Sequence, residues 1–242
     1  MKISLIIPAH NEEHYIKNCL DYALDEISLD LVQEIIVVDN ASSDATYSLV
    51  SDYITHHPIV KIIQTEVKWL THARQVGYQH AQWEIVAYID ADTRMPHWWY
   101  QTIIDQFTRD PKVWFVSWPY SYYDYTWYGR ASNWIYWRWI AYPLYLCVWY
   151  LGVGWNFAIR RSILDTINGF DTTIVFYGED TDIARRAAQH SKTLFLLDLV
   201  MPTSARRFAW QWTIKTTITY AINFFSQVLM HKPVTKNYKD FR

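Results

Sequence analysis

Ile85-Val86-Ala87-Tyr88-Ile89-Asp90-Ala91-Asp92 decides the fold: five apolar residues run straight into two carboxylates one position apart. A short apolar run of this kind reads as a strand covered on both faces. Working outward, residues 2–8, 34–38 and 60–64 repeat the pattern, so with 84–89 the first half of the chain holds four such strands. Between them lie helical patterns over residues 11–25 and 71–82. A third helix, capped by Ser42 or Ser43, runs through Tyr47, Leu49 and Val50. Strands alternating with helices predict an α/β fold, a parallel sheet with helices on both faces. Ligands of such sheets sit beyond the carboxyl ends of the strands. The polar segments Pro8-Ala9-His10-Asn11-Glu12, Asp39-Asn40-Ala41-Ser42-Ser43-Asp44 and Asp90-Ala91-Asp92 fall at those ends.

Two carboxylates just past a buried strand suit a hard divalent cation. Mg²⁺ and Mn²⁺ take oxygen ligands, and one or two carboxylates suffice when a diphosphate and water complete the shell. The ion would offset charge on a leaving nucleoside diphosphate. Most Asp-x-Asp sequences are solvated turns; the preceding strand singles this one out. Asp39 ends its strand in the same way, where a carboxylate accepts hydrogen bonds from a ribose or base; the plainer role is a turn or cap. Asp44 reads as a turn residue. Glu179-Asp180 follows Gly178 and opens a helix, where negative charge is favourable. The functional role for this pair is a general base for an acceptor hydroxyl.

Taken together, these motifs resemble the family 2 glycosyltransferases of the GT-A fold, a Rossmann-like, mostly parallel sheet with helices on both faces. Pro8-Ala9-His10-Asn11-Glu12 matches the family's Pro-x-x-Asn-Glu, and Asp39-Asn40-Ala41-Ser42-Ser43-Asp44-Ala45-Thr46 matches its second strand end. Ala73-Arg74-Gln75-Val76-Gly77 matches Ala-Arg-x-x-Gly, and Gly154-Trp155-Asn156-Phe157-Ala158-Ile159-Arg160-Arg161 its acceptor-side segment. Asn168-Gly169-Phe170-Asp171 and Glu179-Asp180 follow, in the family's order. The resemblance implies that Pro8, Ala9, Glu12 and Asp39 hold the nucleoside, with Arg74 near the base or phosphates. It gives Asp90 to the ribose or metal, Asp92 to the metal, Asp180 to base catalysis, and Trp155, Asn156 and Glu179 to the acceptor side. It implies inversion by direct displacement from a nucleotide-diphosphate sugar, a UDP-sugar first. Thr71 and Gln75 depart from the family's usual Gly and Asn. No Gln-x-x-Arg-Trp is present, which points to transfer of one sugar rather than polymerisation. Arg206-Arg207 resembles a further family motif: a diphosphate clamp, or equally the basic flank of the next helix.

Composition narrows the rest. With 51% hydrophobic residues the 242-residue chain affords a large core, and a net charge of -2 argues against nucleic-acid binding. Cys19 and Cys147 form no paired motif, and the first residues are no signal peptide, so a reduced, cytoplasmic chain is expected. The nine histidines show no zinc spacing. Aromatic residues reach 18% and crowd positions 114–155. They serve an acceptor, a membrane surface or an aromatic core. The uncharged run 139–159 has the length of a membrane span, but crossing there would separate Asp90 and Asp92 from Asp180. A buried, interfacial or re-entrant segment is expected instead. Trp210, Ile214, Ile218, Ala221, Ile222, Phe225 and Leu229 form an apolar helical stripe. Residues 1–205 are therefore expected to be the catalytic domain, and 206–242 an amphipathic helical extension lying on the cytoplasmic face of a membrane or packing on the domain. The expected function is transfer of a sugar to a glycan or lipid-linked acceptor with Mg²⁺ or Mn²⁺. The rival expectations are a sugar nucleotidyltransferase and a non-catalytic carbohydrate- or membrane-binding module on the same fold.

Overall fold

The computed structural model describes residues 1–25, 31–154, 156–174 and 178–206, and near the C-terminus 222–224, 226–228 and 230. The expected strands and helices of the first half are all present: β1 (Ile3–Ala9), α1 (Ile16–Asp25), β2 (Val32–Asn40), α2 (Thr46–His56), β3 (Val60–Thr65), α3 (Leu70–His80) and β4 (Ile85–Ile89). There follow α4 (Trp99–Arg109), β5 (Val113–Ser117), β6 (Tyr120–Tyr122), α5 (Trp127–Tyr136), one π-helical turn (Trp137–Ala141) and α6 (Tyr142–Val148). The remaining elements are β7 (Asn156–Arg160), α7 (Arg161–Thr166), α8 (Glu179–Ala188), β8 (Lys192–Phe195) and β9 (Met201–Thr203). The first helix starts later than its apolar spacing predicts. Asn11 takes a left-handed φ of 53°, and residues 11–15 make a loop that is tied to the turn after β2.

Seven strands form one sheet in the order β3-β2-β1-β4-β7-β5-β8. It is the mostly parallel α/β sheet expected, with one departure: β7 runs antiparallel to both β4 and β5. Both faces are covered. Leu5, Ile7, Ile35, Val37, Ala87 and Ile89 belong to the core shared with α1 and α4, while Ile6, Ile36, Val38, Val86 and Tyr88 pack on the other side with Phe157 and Ile183. Alternate residues of one strand thus go to opposite cores, which is why these strands read as unbroken apolar runs.

The sheet also opens where a ligand is expected. β1 pairs with β2 through Ala9 but with β4 only through Ile6. Pro8, which lacks an N–H, sits past that last β4 pairing, so no ladder bond is forfeited there. β1 and β4 part at the position where strand order reverses, and the crevice lies between them.

The aromatic segment divides in two. Trp99 and Trp118 are fully buried and meet edge to face at 5.3 Å. α5, the π turn and α6 run on as one continuous helix, anchored through Trp137, which stacks on Phe195 and donates from Nε1 to the Tyr120 carbonyl at 3.0 Å. The uncharged stretch 139–159 is no single helix: it is broken at Trp149, with φ 64°, and ends in the core strand β7. Among the described residues no helix is long and apolar enough to cross a membrane. Cys19 is buried and Cys147 exposed, and both are free thiols. Most of the extension expected over 206–242 lies outside the described residues.

Candidate active site

Three loops meet at the crevice, and side chains lock them. After β1 and β2 the locks are reciprocal. The Asn11 N–H donates to Ser42 Oγ at 3.0 Å, and the Ser43 N–H returns to Asn11 Oδ1 at 2.8 Å. The Glu12 N–H donates to Thr46 Oγ1 at 2.7 Å, and Asp44 accepts from the Glu13 N–H and from Thr46. Asp44 is thus the turn residue its position predicts. Asp39 is buried at the end of β2, beside Ala9, and accepts from the Ser42 N–H and Gln64 Nε2, each at 3.2 Å. His10 Nδ1 lies 2.7 Å from the Asn40 carbonyl.

The antiparallel strand brings the two halves of the site together. Asn156 at the start of β7 pairs with Ile89 at the end of β4. A parallel β7 would have put its first residue at the opposite edge of the sheet. The Ser117 hydroxyl fixes the approach, donating to the Asn156 carbonyl at 2.7 Å and accepting from the Val153 N–H at 3.0 Å. Asn156 itself is fully buried, and its side-chain amide has no hydrogen bond among the described residues. Arg160 and Arg161 of the same motif serve structure at the far edge, donating to the carbonyls of Phe107, Val113 and Ala81.

Glu179 and Asp180 open α8 against this loop. Gly178 enters the helix with φ 93°, a conformation that L side chains rarely adopt. Gly152 lets the loop touch the helix end: a Cβ there would lie 2.3 Å from the Asp180 carbonyl oxygen. At Gly154 a Cβ would stand 3.4 Å from Asp180 Oδ2 and 3.5 Å from both Arg74 Nη2 and Glu179 Oε1. Arg74, fully buried in α3, joins the halves: Nη1 donates to Glu179 Oε1 at 3.0 Å, and Nη2 lies 4.0 Å from Asp90 Oδ1. Burial, with the Glu179 charge beside it, pushes the Asp180 carboxyl up to about 7. That places a carboxylate in the range of a neutral-pH base.

On the other side Asp92 is held from β9. Thr203 Oγ1 donates to Asp92 Oδ1 at 3.0 Å, and Arg206 Nε pairs with Asp92 Oδ2 at 3.0 Å. The same guanidinium reaches Glu12 Oε1 at 2.5 Å and lies over the Tyr15 ring at 4.4 Å. Asp124 sets this up, accepting from Ser204 Oγ and from the Ala205 N–H. Thr203, Tyr15 and Asp124 carry no signal in the sequence, because only the pairing of β9 with β6 brings the segment to Asp92. Arg207 and Trp155 fall outside the described residues.

Pro8, Ala9, Glu12, Asp39, Asp90, Asp92 and Arg206 therefore line one side of the crevice region, and Asn156, Glu179 and Asp180 the other, with Arg74 between. Among the described residues no group of three or more His, Cys, Asp or Glu side chains could hold a metal ion by itself. The set does fit a cation that draws most of its ligands from a diphosphate and water. Asp90 and Asp92 offer only oxygen, and Asp92 already faces a positive charge, the Arg206 guanidinium.

The sequence matches the model of "Glycosyl transferase family 2" over residues 4–167, more than half of the chain. The chain belongs to glycosyltransferase family 2. A curated relative, the probable glycosyltransferase YdaM of Bacillus subtilis, is 24% identical over 205 residues, covering 76% of this chain and 46% of its own length. The dolichol-phosphate mannosyltransferase of Pyrococcus furiosus is 31% identical over 96 residues, 40% of this chain and 27% of the relative. This chain thus spans less than half the length of YdaM. Among solved structures, the mannosyltransferase PcManGT of Pyrobaculum calidifontis, in complex with GDP-Man and Mn²⁺, superposes with a TM-score of 0.74 at 21% identity. The match covers 95% of this chain and 64% of that one, and establishes the shared GT-A fold.

Proposed function

We propose that this family 2 chain moves one sugar, with inversion, from a nucleotide-diphosphate sugar to a hydroxyl or phosphate of a lipid-linked acceptor. The observation that carries this is the meeting of Asp90 and Asp92 with Glu179 and Asp180 on one sheet edge, with Arg74 joining the two sides. The donor complex of PcManGT and the lipid-phosphate acceptor named for the Pyrococcus relative support the donor and acceptor classes.

In this reading the nucleoside lies along Pro8, Ala9 and Glu12, within reach of Asp39. The diphosphate lies toward Asp90, Asp92 and the guanidiniums of Arg206 and Arg207. Mg²⁺ or Mn²⁺ at Asp92 and Asp90 would supply positive charge to the departing diphosphate. Arg206 releases Asp92 and Glu12 and turns its fork to the phosphate oxygens, for which guanidinium geometry is suited. Asp180 takes the proton of the acceptor hydroxyl as its oxygen forms the bond to the anomeric carbon and the diphosphate oxygen leaves from the opposite face. Glu179 stays paired with Arg74, which keeps the helix end and the Asp90 loop in register. Trp155 and Asn156 mark the acceptor side. The enzyme works on the cytoplasmic face of a membrane, where a lipid-linked acceptor is presented.

Transfer assays with UDP- and GDP-sugars and a polyprenyl phosphate acceptor test the reading. Metal-dependent transfer that Asp92→Ala removes is expected. Donor consumption without metal dependence, or release of a nucleoside monophosphate rather than a diphosphate, would refute it.

A further inference from the structure

The continuous helix of α5, the π turn and α6 has an inverted surface. One stripe faces the protein: Gly129, Trp137, Ala141 and Tyr145 are buried at steps of four residues or twice that. An i, i+4 stripe drifts around a helix of 3.6 residues per turn. The wider π turn absorbs the extra residue and returns the stripe to the same side. Most positions off the stripe are exposed, where a soluble helix carries charge. Here those positions hold Trp127, Trp134, Ile135, Trp139, Ile140 and Leu146, with the four tryptophans at 127, 134, 139 and 149 exposed by 59–76%. The neighbouring α4 shows the ordinary arrangement, burying Trp99, Tyr100, Ile103 and Phe107 and exposing Gln101, Asp105 and Arg109.

We propose that this helix face docks on a bilayer surface bearing anionic headgroups. The inference rests on the lipid-linked acceptor reading above. Charge selects the occupant. From Tyr125 to Leu164 the sequence has no acidic residue, and the helix's charged side chains are the exposed Arg130 and Arg138. Indole and phenol rings suit the headgroup layer, with an apolar body and a polar tip, and arginine extends its charge past an apolar stem to phosphate. An open groove of about 740 Å³ carries the face on to Trp98 of the α4 end, with Arg138 and Trp139 in its wall and Asp198 as its one acidic lining residue. Just past the end of this helix, Gly152 lies against the Asp180 carbonyl. Seating this face on a bilayer therefore holds the Asp180 side of the crevice close to the plane in which a lipid-linked acceptor lies.

Cosedimentation of the full chain with phosphatidylcholine vesicles, with and without phosphatidylglycerol, tests this. The wild type should pellet only with the anionic vesicles. Trp134→Ser/Trp139→Ser should lose that binding, and Arg130→Glu/Arg138→Glu should weaken it about tenfold or more. The thermal unfolding midpoint and donor hydrolysis in vesicle-free solution should match the wild type, because none of these residues touches the site. No vesicle binding by the wild type, or binding indifferent to all four substitutions, would overturn the proposal. So would a dimer that the tryptophan changes dissolve in the absence of any lipid binding, which assigns the face to a second copy. If vesicle binding follows the expected pattern but no protein consumes a nucleotide sugar, docking stands and the transferase reading falls.

Discussion

Two regions of this protein are rich in large apolar residues and use them in opposite ways. In β1, β2 and β4 the unbroken apolar runs are buried on both faces of the sheet, and polarity begins abruptly at Asp39 and Asp90. In the helix from Trp127 to Val148 only one stripe is buried, and most of the aromatic surface faces outward. The lesson is that hydrophobic content reports burial only where geometry leaves no other side. A strand inside a helix-covered sheet has none; a surface helix has most of its circumference free.

The sharpest probe of the contrast is the pair of tryptophan populations. Trp118→Ala, inside the sheet core against Trp99, should destabilise the fold by about 3–5 kcal/mol in denaturant unfolding. A cost below about 1 kcal/mol would mean that this core tolerates a large cavity. Next is Asp180→Asn, which should slow transfer to a hydroxyl acceptor about a hundredfold or more, and a phosphate acceptor much less. Equal losses on both acceptors would remove Asp180 from proton transfer. Its titration is a linked prediction. The folded-state carboxyl is raised from 3.8 to about 7, so the native state holds this proton more tightly than the unfolded chain. Stability from this group is full below the lower value and is lost as pH rises through about 7. Asp180→Asn should flatten the change in melting temperature over that interval; an unchanged profile would show an ordinary carboxylate.

Gly152→Ala is expected to cost about 1–3 kcal/mol, since its Cβ would collide with the Asp180 carbonyl. It should also reduce transfer, because the loop and helix end cannot both keep their places. Neutral stability would mean that this contact is loose. Smallest of all, Trp134→Ser on the exposed face should change stability by no more than about 0.5 kcal/mol. A larger loss would show that this tryptophan is part of the core rather than a docking surface.

The legibility of the sequence follows the same divide. Period and punctuation located β1 to β4 and the polar ends that border the crevice, because local residues alone determine them. Asp44 was readable as a turn residue for the same reason. Two facts were not readable. The antiparallel course of β7, which sets Asn156 beside Ile89, depends on pairing with strands distant in sequence. The grip of Thr203 and Arg206 on Asp92 depends on β9 lying beside β6, across about eighty residues of chain. The order of family motifs announced that Asp92 and Asp180 belong together; only the fold reveals Arg74 lodged between the two sides.

The central claim is that Asp90 and Asp92 bind a nucleoside diphosphate through a divalent cation. Thermal unfolding with UDP, GDP and dTDP, with and without Mn²⁺, in wild type and Asp92→Ala, tests it most directly. One nucleotide should raise the wild-type midpoint only when Mn²⁺ is present, and should leave folded Asp92→Ala unmoved. No shift with any nucleotide at millimolar concentration, or a shift that persists without metal and in Asp92→Ala, would contradict the account.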